Sequence, residues 1–357
     1  MDALSFWNVL WFILIFVVLG GYFILDGFDL GVGALYPFLG KDERKKAIMR
    51  RSIGPVWDGN EVWLLTGGGA LFAAFAPAYA TTFSGYYLAI MLVLFCLIVR
   101  AVSLETRSKD PEHAKLWDIF FFLGSALPAL LFGVAVGDTM MGVPLDAQGN
   151  MALPFPISFV FLLRPFALVA GLVGLCHFLL LGASWLAVKT EGELHDQAVA
   201  LRPKFALAEI VLLVVGAVLW FAGMAIDPQA GVLGAICGIA ATPALMILSC
   251  VFGVVALLAV FLTYSWGNKG ESDLKVFIVA AAACLGLVFC AAFAMFPNWI
   301  PDSLMANPVT VGGAASEDFT LMWMTGITVV GLPILLFYHF LTYRAFAGKI
   351  TDADLEY

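Results

Sequence analysis

The feature of this sequence that most constrains its fold is a series of long apolar segments that contain almost no charge. Of its 357 residues, 62% are hydrophobic and only 12% are charged. Many of these segments approach the roughly 20 residues that a helix needs to cross a bilayer. Because lipid offers the backbone no hydrogen-bond partner, such segments must form helices or a closed barrel. The short alternating segments typical of barrel strands are missing from the sequence, which therefore predicts an all-α integral membrane protein.

Nine apolar segments are predicted to span the membrane. They are 6–26, 60–80, 83–104, 117–137, 160–187, 205–226, 236–265, 274–296 and 320–346. The chain begins with Met1-Asp2 and has no basic segment before its first apolar run, so we expect this run to remain as a helix. We expect two domains: a first helical bundle of four spans in residues 1–150, and a second bundle of five spans in residues 151–357.

Lysine and arginine residues are distributed unequally between alternate connections. The first connection alone carries six of them, within residues 41–51, whereas Arg164 is the only one near an even-numbered connection. Cytoplasmic connections of membrane proteins carry an excess of these residues. With nine spans, this pattern places the N-terminus outside and the C-terminus in the cytoplasm. The sequence thus predicts a multi-pass protein of a plasma membrane.

Charged residues inside the apolar segments are few, and they gather near one predicted face of the membrane. An acidic residue at the centre of a membrane helix costs about 2.5–3.5 kcal/mol on insertion scales, so such residues usually have a function. Two acids are predicted to close the first span, two to open the second, and an arginine and an acid to close the third: Asp26, Asp29, Asp58, Glu61, Arg100 and Glu105. This cluster is either an inward-facing proton path or a buried salt-bridge network that fixes the helices.

Histidine and cysteine residues give weaker indications of a cofactor or metal site. His177 and His339 lie in predicted spans and could hold a haem iron, but the pattern favours polar residues packed between helices. The six cysteines lie in or beside apolar segments and contain no C-x-x-C pair, so we interpret them as small packing residues. The sequence gives no indication of a zinc site, a nucleophile-and-base pair, a dinucleotide fold or a basic groove for nucleic acid.

Two stretches resemble a known family. Residues 26–33 (DGFDLGVG) and 55–64 (PVWDGNEVWL) are similar to the two hallmark stretches of subunit II of cytochrome bd-type quinol oxidases. The resemblance continues through residues 67–74, 83–87 and 142–144 and reaches the closing helix around residues 332–336. It therefore covers nearly the whole chain.

This resemblance implies a fold, an activity and partners. The complex oxidises quinol, reduces oxygen to water and generates a proton-motive force in a bacterial or archaeal plasma membrane. Its subunit I holds b-type and d-type haems, whereas subunit II is similar to a scaffold of two helical bundles and a peripheral helix that binds no haem itself. A small single-span subunit, membrane lipid and a quinone bound in a groove of this chain are further implied partners.

The resemblance also implies roles for single residues. The acid that matches Asp58 belongs to a proton route from the cytoplasm, which Arg100 and Glu105 are placed to support. Glu61 stands where some family members have a neutral glutamine, and Trp63 matches a tryptophan near a proposed oxygen route. Two alternatives stay open: a self-sufficient proton-coupled secondary transporter, in which glycines beside the acids would break a helix, and an assembly subunit without a proton role.

Overall fold

The computed structural model describes residues 4–154, 156–229, 231–239 and 245–355, and these form an almost entirely helical protein. The helices are α1 (Phe6–Leu39), α2 (Glu43–Ile53), α3 (Trp57–Ala74), α4 (Ala76–Gly85), α5 (Tyr87–Thr106), α6 (Ala114–Met141), α7 (Ile157–Phe161), α8 (Pro165–Lys189), α9 (Gly192–Met224), α10 (Gly231–Cys237), α11 (Met246–Lys269), α12 (Asp273–Met295), α13 (Val311–Ala314) and α14 (Asp318–Ala345). Two short antiparallel strands, β1 (Asn298–Ile300) and β2 (Val309–Thr310), and a 3-10 helix, Asp352–Leu355, complete the described elements.

Helix α1 begins at a capping box and is much longer than predicted. The Ser5 side chain accepts a hydrogen bond from the backbone N–H of Asn8, and the Asn8 side chain accepts one from the backbone N–H of Ser5. The helix then continues for 34 residues to Leu39. The prediction that Asp26 and Asp29 close the first span is therefore wrong. Both acids lie within the helix, because buried partners on other helices bind their carboxylates there.

Eight helices are long and apolar enough to cross a membrane within the described part of the chain: α1, α5, α6, α8, α9, α11, α12 and α14. They correspond to eight of the nine predicted spans and confirm an all-α membrane protein. Helix α3 is not among them because three polar residues lie in its first turns, Asp58, Asn60 and Glu61. The count of nine spans and the positions of the two termini therefore stay predictions.

The second predicted span, 60–80, is not one continuous helix. It breaks at Phe75, which lies between α3 and α4. Pro77, at the start of α4, has no backbone N–H and would clash with the preceding turn inside a longer helix. Ser316 compensates for the break, because its backbone N–H donates to the Ala74 carbonyl and its hydroxyl donates to the Ala73 carbonyl, both at 2.8 Å.

The seventh predicted span, 236–265, begins too early. Its first residues belong to α10, which ends at Cys237, and the spanning helix α11 begins only at Met246. Residues 240–244, which the prediction placed inside this span, lie outside the described residues. Helix α9 differs in the opposite direction: it begins at Gly192, ahead of the predicted start at 205, and carries Pro203 within its length.

Helix α1 is the central element of the packing. It lies against α3 and α6 of the first half of the chain and against α8 and α12 of the second half. At α8 the two backbones are in direct contact: a Cβ atom on Gly31 would lie 1.8 Å from the carbonyl oxygen of Phe178. The proposed division into domains at residue 150 stays a prediction. Helix α14 is peripheral, with most of its side chains exposed.

On the side opposite α2, the connection after α6 is joined to the connection after α12. The backbone N–H of Val143 donates to the Pro301 carbonyl at 3.0 Å, and the Val143 carbonyl accepts from the Ser303 N–H at 3.1 Å. Asp302 lies between these contacts and is 2% exposed. Its carboxylate accepts hydrogen bonds from four backbone N–H groups, those of Leu145, Leu304, Ala306 and Asn307, at 2.8–3.1 Å.

Candidate functional site

A buried arginine joins three helices at the predicted cytoplasmic half of the first bundle. Arg100 on α5 is 1% exposed, and its Nη2 donates to Asp26 Oδ1 on α1 at 2.6 Å. The same nitrogen donates to Glu61 Oε1 on α3 at 2.8 Å. Asp26 is completely buried, whereas the side chain of Glu61 is 30% exposed. Hydrogen bonds between ionised groups of this length are among the strongest that proteins form.

The neighbouring helix α6 leaves room for this arginine by presenting a glycine to it. A Cβ atom on Gly124 would lie 2.9 Å from the Cβ of Arg100 and 2.7 Å from the carbonyl oxygen of Cys96. Any larger residue at this position would push α6 away from α5. The close approach of the two helices shields the arginine from solvent on that side.

Asp29 extends the site towards helix α14 through neutral groups. Asn60 on α3 donates from Nδ2 to Asp29 Oδ2 at 2.8 Å and to the Leu25 carbonyl at 3.2 Å. The hydroxyl of Tyr343 on α14 donates to Asn60 Oδ1 at 2.8 Å. Asp29 and Asn60 are both completely buried. We call the five side chains that meet here the Arg100 cluster: Asp26, Asp29, Asn60, Glu61 and Arg100.

The Arg100 cluster contains more hydrogen-bonding capacity than its members use. The Asp26 and Glu61 carboxyl groups share one guanidinium. Four buried polar atoms near this level have no hydrogen-bond partner among the described residues: Tyr22 Oη, Asp26 Oδ2, Asp29 Oδ1 and Arg100 Nη1. An unpaired buried polar atom costs about 1–3 kcal/mol, and more when it is charged. The cluster is therefore a place where protons or water can be bound at a cost lower than in the surrounding apolar core.

Two of the predicted site residues lie outside this cluster. Asp58 is exposed at the start of α3, and Glu105 is exposed at the end of α5, 3.6 Å from Lys109 Nζ. Asp58 does not contact Arg100, whereas Glu61 does. The helical turn that separates the two acids brings Glu61 against Arg100 and leaves Asp58 at the surface. Asp58, Glu61 and the buried pair Asp26–Arg100 thus form a series from the surface to the interior.

Trp63 and His339 connect helix α3 to the peripheral helix α14. The indole N–H of Trp63 donates to His339 Nε2 at 3.2 Å, and His339 Nδ1 donates to the Leu335 carbonyl at 3.1 Å in the tautomer that satisfies both bonds. Trp63 is 8% exposed and His339 is 9% exposed. His339 therefore packs between helices, as predicted. The Trp63 indole packs closely against α1 at Gly21, where a Cβ atom would lie 2.6 Å from the ring.

The surface at the predicted cytoplasmic ends of α1 and α6 carries a further charge network. Asp118 Oδ2 accepts from Lys46 Nζ at 2.7 Å, and Asp118 Oδ1 accepts from Arg107 Nε at 2.9 Å. Arg107 Nη2 also donates to Glu43 Oε2 at 2.7 Å. Burial acts to lower the pKa of Arg107, but the hydrogen bond to Asp118 and the charge of that carboxylate raise it overall. This network ties the first two connections on that face together.

Sequence reasoning missed two buried pairs outside the Arg100 cluster. Arg164 is 3% exposed and donates from Nη2 to Asp138 Oδ1 at 3.0 Å and to the Gly142 carbonyl at 2.9 Å. His177 on α8 lies 2.8 Å from Glu209 on α9, measured from Nδ1 to Oε1. One signal was present for the second pair: Glu209 is the only acidic residue inside the predicted span 205–226.

Comparison with known proteins identifies relatives along almost the whole chain. The family model described as cytochrome bd terminal oxidase subunit II matches residues 7–346. The cytochrome bd-I ubiquinol oxidase subunit 2 of Escherichia coli (strain K12) is 36% identical over 370 residues, covering 97% of this chain and 96% of that protein. The cytochrome bd ubiquinol oxidase subunit 2 of Bacillus subtilis (strain 168) is 32% identical, covering 97% of each.

A solved structure supports the fold. A chain of the bd oxidase from Geobacillus thermodenitrificans superposes with a TM-score of 0.70 over 96% of this chain and 99% of that chain, at 16% sequence identity. This likeness concerns the fold alone, whereas the family model and the relatives above 30% identity extend to the sequence. The chain therefore belongs to the cytochrome bd terminal oxidase subunit II family.

Proposed function

We propose that this chain is the haem-free subunit of a quinol-oxidising complex and that it carries the first part of a proton route from the cytoplasm. As a subunit II of a terminal oxidase, it is a multi-pass protein of the plasma membrane that works with a subunit I. Relatives named ubiquinol oxidase support quinol as the electron donor. The family membership leaves the transporter interpretation without support. The observation that carries the proton proposal is the Arg100 cluster.

The haems of the complex belong to the partner subunit in this proposal. Both intramembrane histidines of this chain are engaged by protein groups: His339 by Trp63 and the Leu335 carbonyl, and His177 by Glu209. Within the part of the chain that the structure describes, no group of three or more histidine, cysteine or acidic side chains is arranged to hold a metal ion. A bound quinone, a small single-span subunit and an oxygen route beside Trp63 stay predictions from the resemblance.

The proton route begins at Asp58 and continues through Glu61. Asp58 is exposed at the first turn of α3, and Glu61 lies three residues further, about 4.5 Å along the helix axis. Glu61 is half-buried and in contact with Arg100, which also binds the fully buried Asp26. Each step moves deeper into the protein. Since burial and neighbouring charges tune the proton affinity of a carboxyl group, this series can accept protons at the surface and pass them inward.

Such a route would allow the complex to separate charge. Reduction of oxygen to water consumes protons, and oxidation of quinol releases them. If release occurs outside and uptake occurs through acids at the cytoplasmic face, turnover moves charge across the membrane without a dedicated pump. Moving one elementary charge against a potential is worth about 2.3 kcal/mol per 100 mV.

Acid-to-amide variants test this proposal. We expect Asp58→Asn and Glu61→Gln to slow quinol-driven oxygen consumption of the purified complex while its haem content is unchanged. Glu271→Gln is the matched control, because Glu271 is an exposed acid whose ion pair, with Lys275 at 3.6 Å, lies along its own chain segment. If both variants assemble, keep their haems and consume oxygen at the wild-type rate, the proton route is wrong. If they lower only the yield of the complex, the cluster has the role of an assembly scaffold.

A further inference from the structure

A second buried acid–base pair joins two of the apolar, membrane-spanning helices, far along the chain from the Arg100 cluster. His177 is near the centre of α8 and Glu209 is near the centre of α9. The two side chains are 1% and 0% exposed, and His177 Nδ1 lies 2.8 Å from Glu209 Oε1. Burying an ionisable pair at this depth is costly, and intramembrane ionisable residues generally mark a path for protons or ions.

The far end of this pair on the Glu209 side is unsatisfied, and the far end on the His177 side meets a thiol. Glu209 Oε2 is buried and has no hydrogen-bond partner among the described residues, and His177 Nε2 has no oxygen or nitrogen partner there, although the Cys284 thiol on α12 interacts with the imidazole. A pair whose purpose is to fix two helices would be expected to satisfy its remaining polar atoms, since each unpaired one lowers stability. A proton relay instead needs one free atom where a proton enters and another where it leaves.

Helix α9 connects this pair to the predicted cytoplasmic face. Its buried residues Arg202, Ala206 and Glu209 follow each other at spacings of four and three, so they lie on one side of the helix. Arg202 is 1% exposed, and its Nη2 donates to Asp273 Oδ1 at 2.6 Å. Asp273 Oδ2 lies 3.1 Å from Nε2 of the partly exposed His195. Arg202 and Glu209 are about 10.5 Å apart along the helix axis, and the small Ala206 is the buried residue between them on this side of α9.

The pair is separated from the Arg100 cluster by the body of helix α8. Phe178, the residue after His177, faces α1, where its ring would lie 2.9 Å from a Cβ atom on Gly27. His177 faces α9 instead. The titratable groups that act on the pair are Cys284 on α12, which also forms a hydrogen bond with the His177 imidazole, and Cys176, which precedes His177 on α8. The pair is thus an independent site and not an extension of the Arg100 cluster.

We propose that His177 and Glu209 form a second proton-binding site, a two-ended relay that is supplied from the predicted cytoplasmic end of α9. When one proton passes through the pair, Glu209 gives the proton on Oε1 to Nδ1 of His177, and the imidazole loses the proton on Nε2. The carboxylate then takes up a new proton at Oε2. One proton enters and one leaves, so the pair has the same charge before and after.

Infrared difference spectroscopy of the purified complex tests whether the pair exchanges protons. Spectra are recorded at two pH values in H2O and in D2O, in the region where a protonated buried carboxyl group absorbs. We expect a pH-dependent carboxyl band in the wild-type complex that shifts in D2O, is lost in Glu209→Gln and moves in His177→Gln. Asp138→Asn is the matched control, because Asp138 is a buried acid paired with Arg164, and it should retain the band.

The outcomes separate the relay from a fixed ion pair. Identical carboxyl difference spectra in the wild-type and Glu209→Gln complexes would overturn the proposal. If Glu209→Gln does not assemble, the comparison uses His177→Gln and Glu209→Asp, which both keep a carboxyl group. A band that is unchanged in both of these variants would equally overturn it, and a band that shifts in both supports it. The measurement follows protonation and not turnover. Its outcome therefore does not depend on whether the Asp58 and Glu61 variants slow oxygen consumption.

Discussion

Replacing Gly31 with alanine should force helices α1 and α8 apart. A Cβ atom on Gly31 would lie 1.8 Å from the carbonyl oxygen of Phe178 and 2.9 Å from the Cα of Gly182. Ordinary contact begins near 3.4 Å, so the two helices would have to separate by about 1.6 Å at this point. Both obstructing atoms belong to the backbone of α8. A change of side-chain rotamer therefore cannot relieve the overlap.

The expected loss of stability is large for a single methyl group. Overpacking a well-filled core costs typically about 1–3 kcal/mol. Gly31→Ala belongs at the upper end of this range because rigid backbone, and not a flexible side chain, must move. The displacement would also weaken dispersion contacts along the neighbouring turns of both helices. Asp26 is little more than one turn away on α1, so its bond to Arg100 should be disturbed as well.

Thermal unfolding of the purified complex, followed by tryptophan fluorescence, measures this effect. We expect Gly31→Ala to lower both the unfolding midpoint and the yield of the complex. Gly68→Ala on α3 and Gly331→Ala on α14 are matched controls, because a Cβ atom on either glycine meets nothing within 4 Å. Alanine there should be neutral or stabilise the helix by up to about 1 kcal/mol. If Gly31→Ala is as stable as these controls, the inferred backbone contact is wrong.

Two further predictions concern charge. Arg100→Gln removes the cation shared by Asp26 and Glu61, and breaking a buried ion pair in this way costs about 3–5 kcal/mol of stability. Adding Asp26→Asn should recover part of this loss, as measured by a double-mutant cycle of thermal unfolding. Strictly additive effects of the two substitutions would contradict the pairing. In the connection after α6, backbone N–H groups, first that of Asn150, hold the pKa of Asp146 below its usual value. Its contribution to loop stability is therefore present above the unfolded-state pKa and lost as the pH falls through the folded-state pKa. Hydrogen exchange of the Asn150 amide, corrected for its intrinsic rate, should accelerate at acidic pH in the wild-type chain and show no such transition in Asp146→Asn. Equal pH dependence of exchange in the two chains would refute the role of the Asp146 carboxylate.

Much of the fold follows from the sequence because membrane insertion makes hydropathy a strong constraint. The eight apolar helices correspond to predicted spans, and the meeting of Asp26, Glu61 and Arg100 was expected, since isolated charges in apolar segments need partners. The predicted end of the first span was wrong because the acids Asp26 and Asp29 were taken to mark it. A charged residue is a sign of a helix end only when no buried partner stabilises it. Arg100 and Asn60 supply such partners for Asp26 and Asp29, and α1 continues to Leu39.

The sequence could not predict how each helix is oriented about its own axis, that is, which of its faces contacts which neighbour. Residues three apart share a helix face in general terms, but only packing decides that Glu61 touches Arg100 and Asp58 stays at the surface. The same limit concealed the pairing of His177 with Glu209, which lie on different helices. The break at Phe75 differs, because Pro77 was a visible signal in the sequence. The predicted span 60–80 followed the length of the apolar run and did not allow for this proline.

The carboxylate of Asp302 has a consequence for how the protein is made. Its hydrogen bond to the backbone of Leu145 joins residues 157 positions apart. At a synthesis rate of about 5–20 residues per second, the connection after α6 waits roughly 8–31 s before the residue that completes it emerges from the ribosome. During that interval the first half of the chain is already in the membrane with this loop unfinished. The order of translation therefore makes the closing of this loop one of the last local steps in building the subunit.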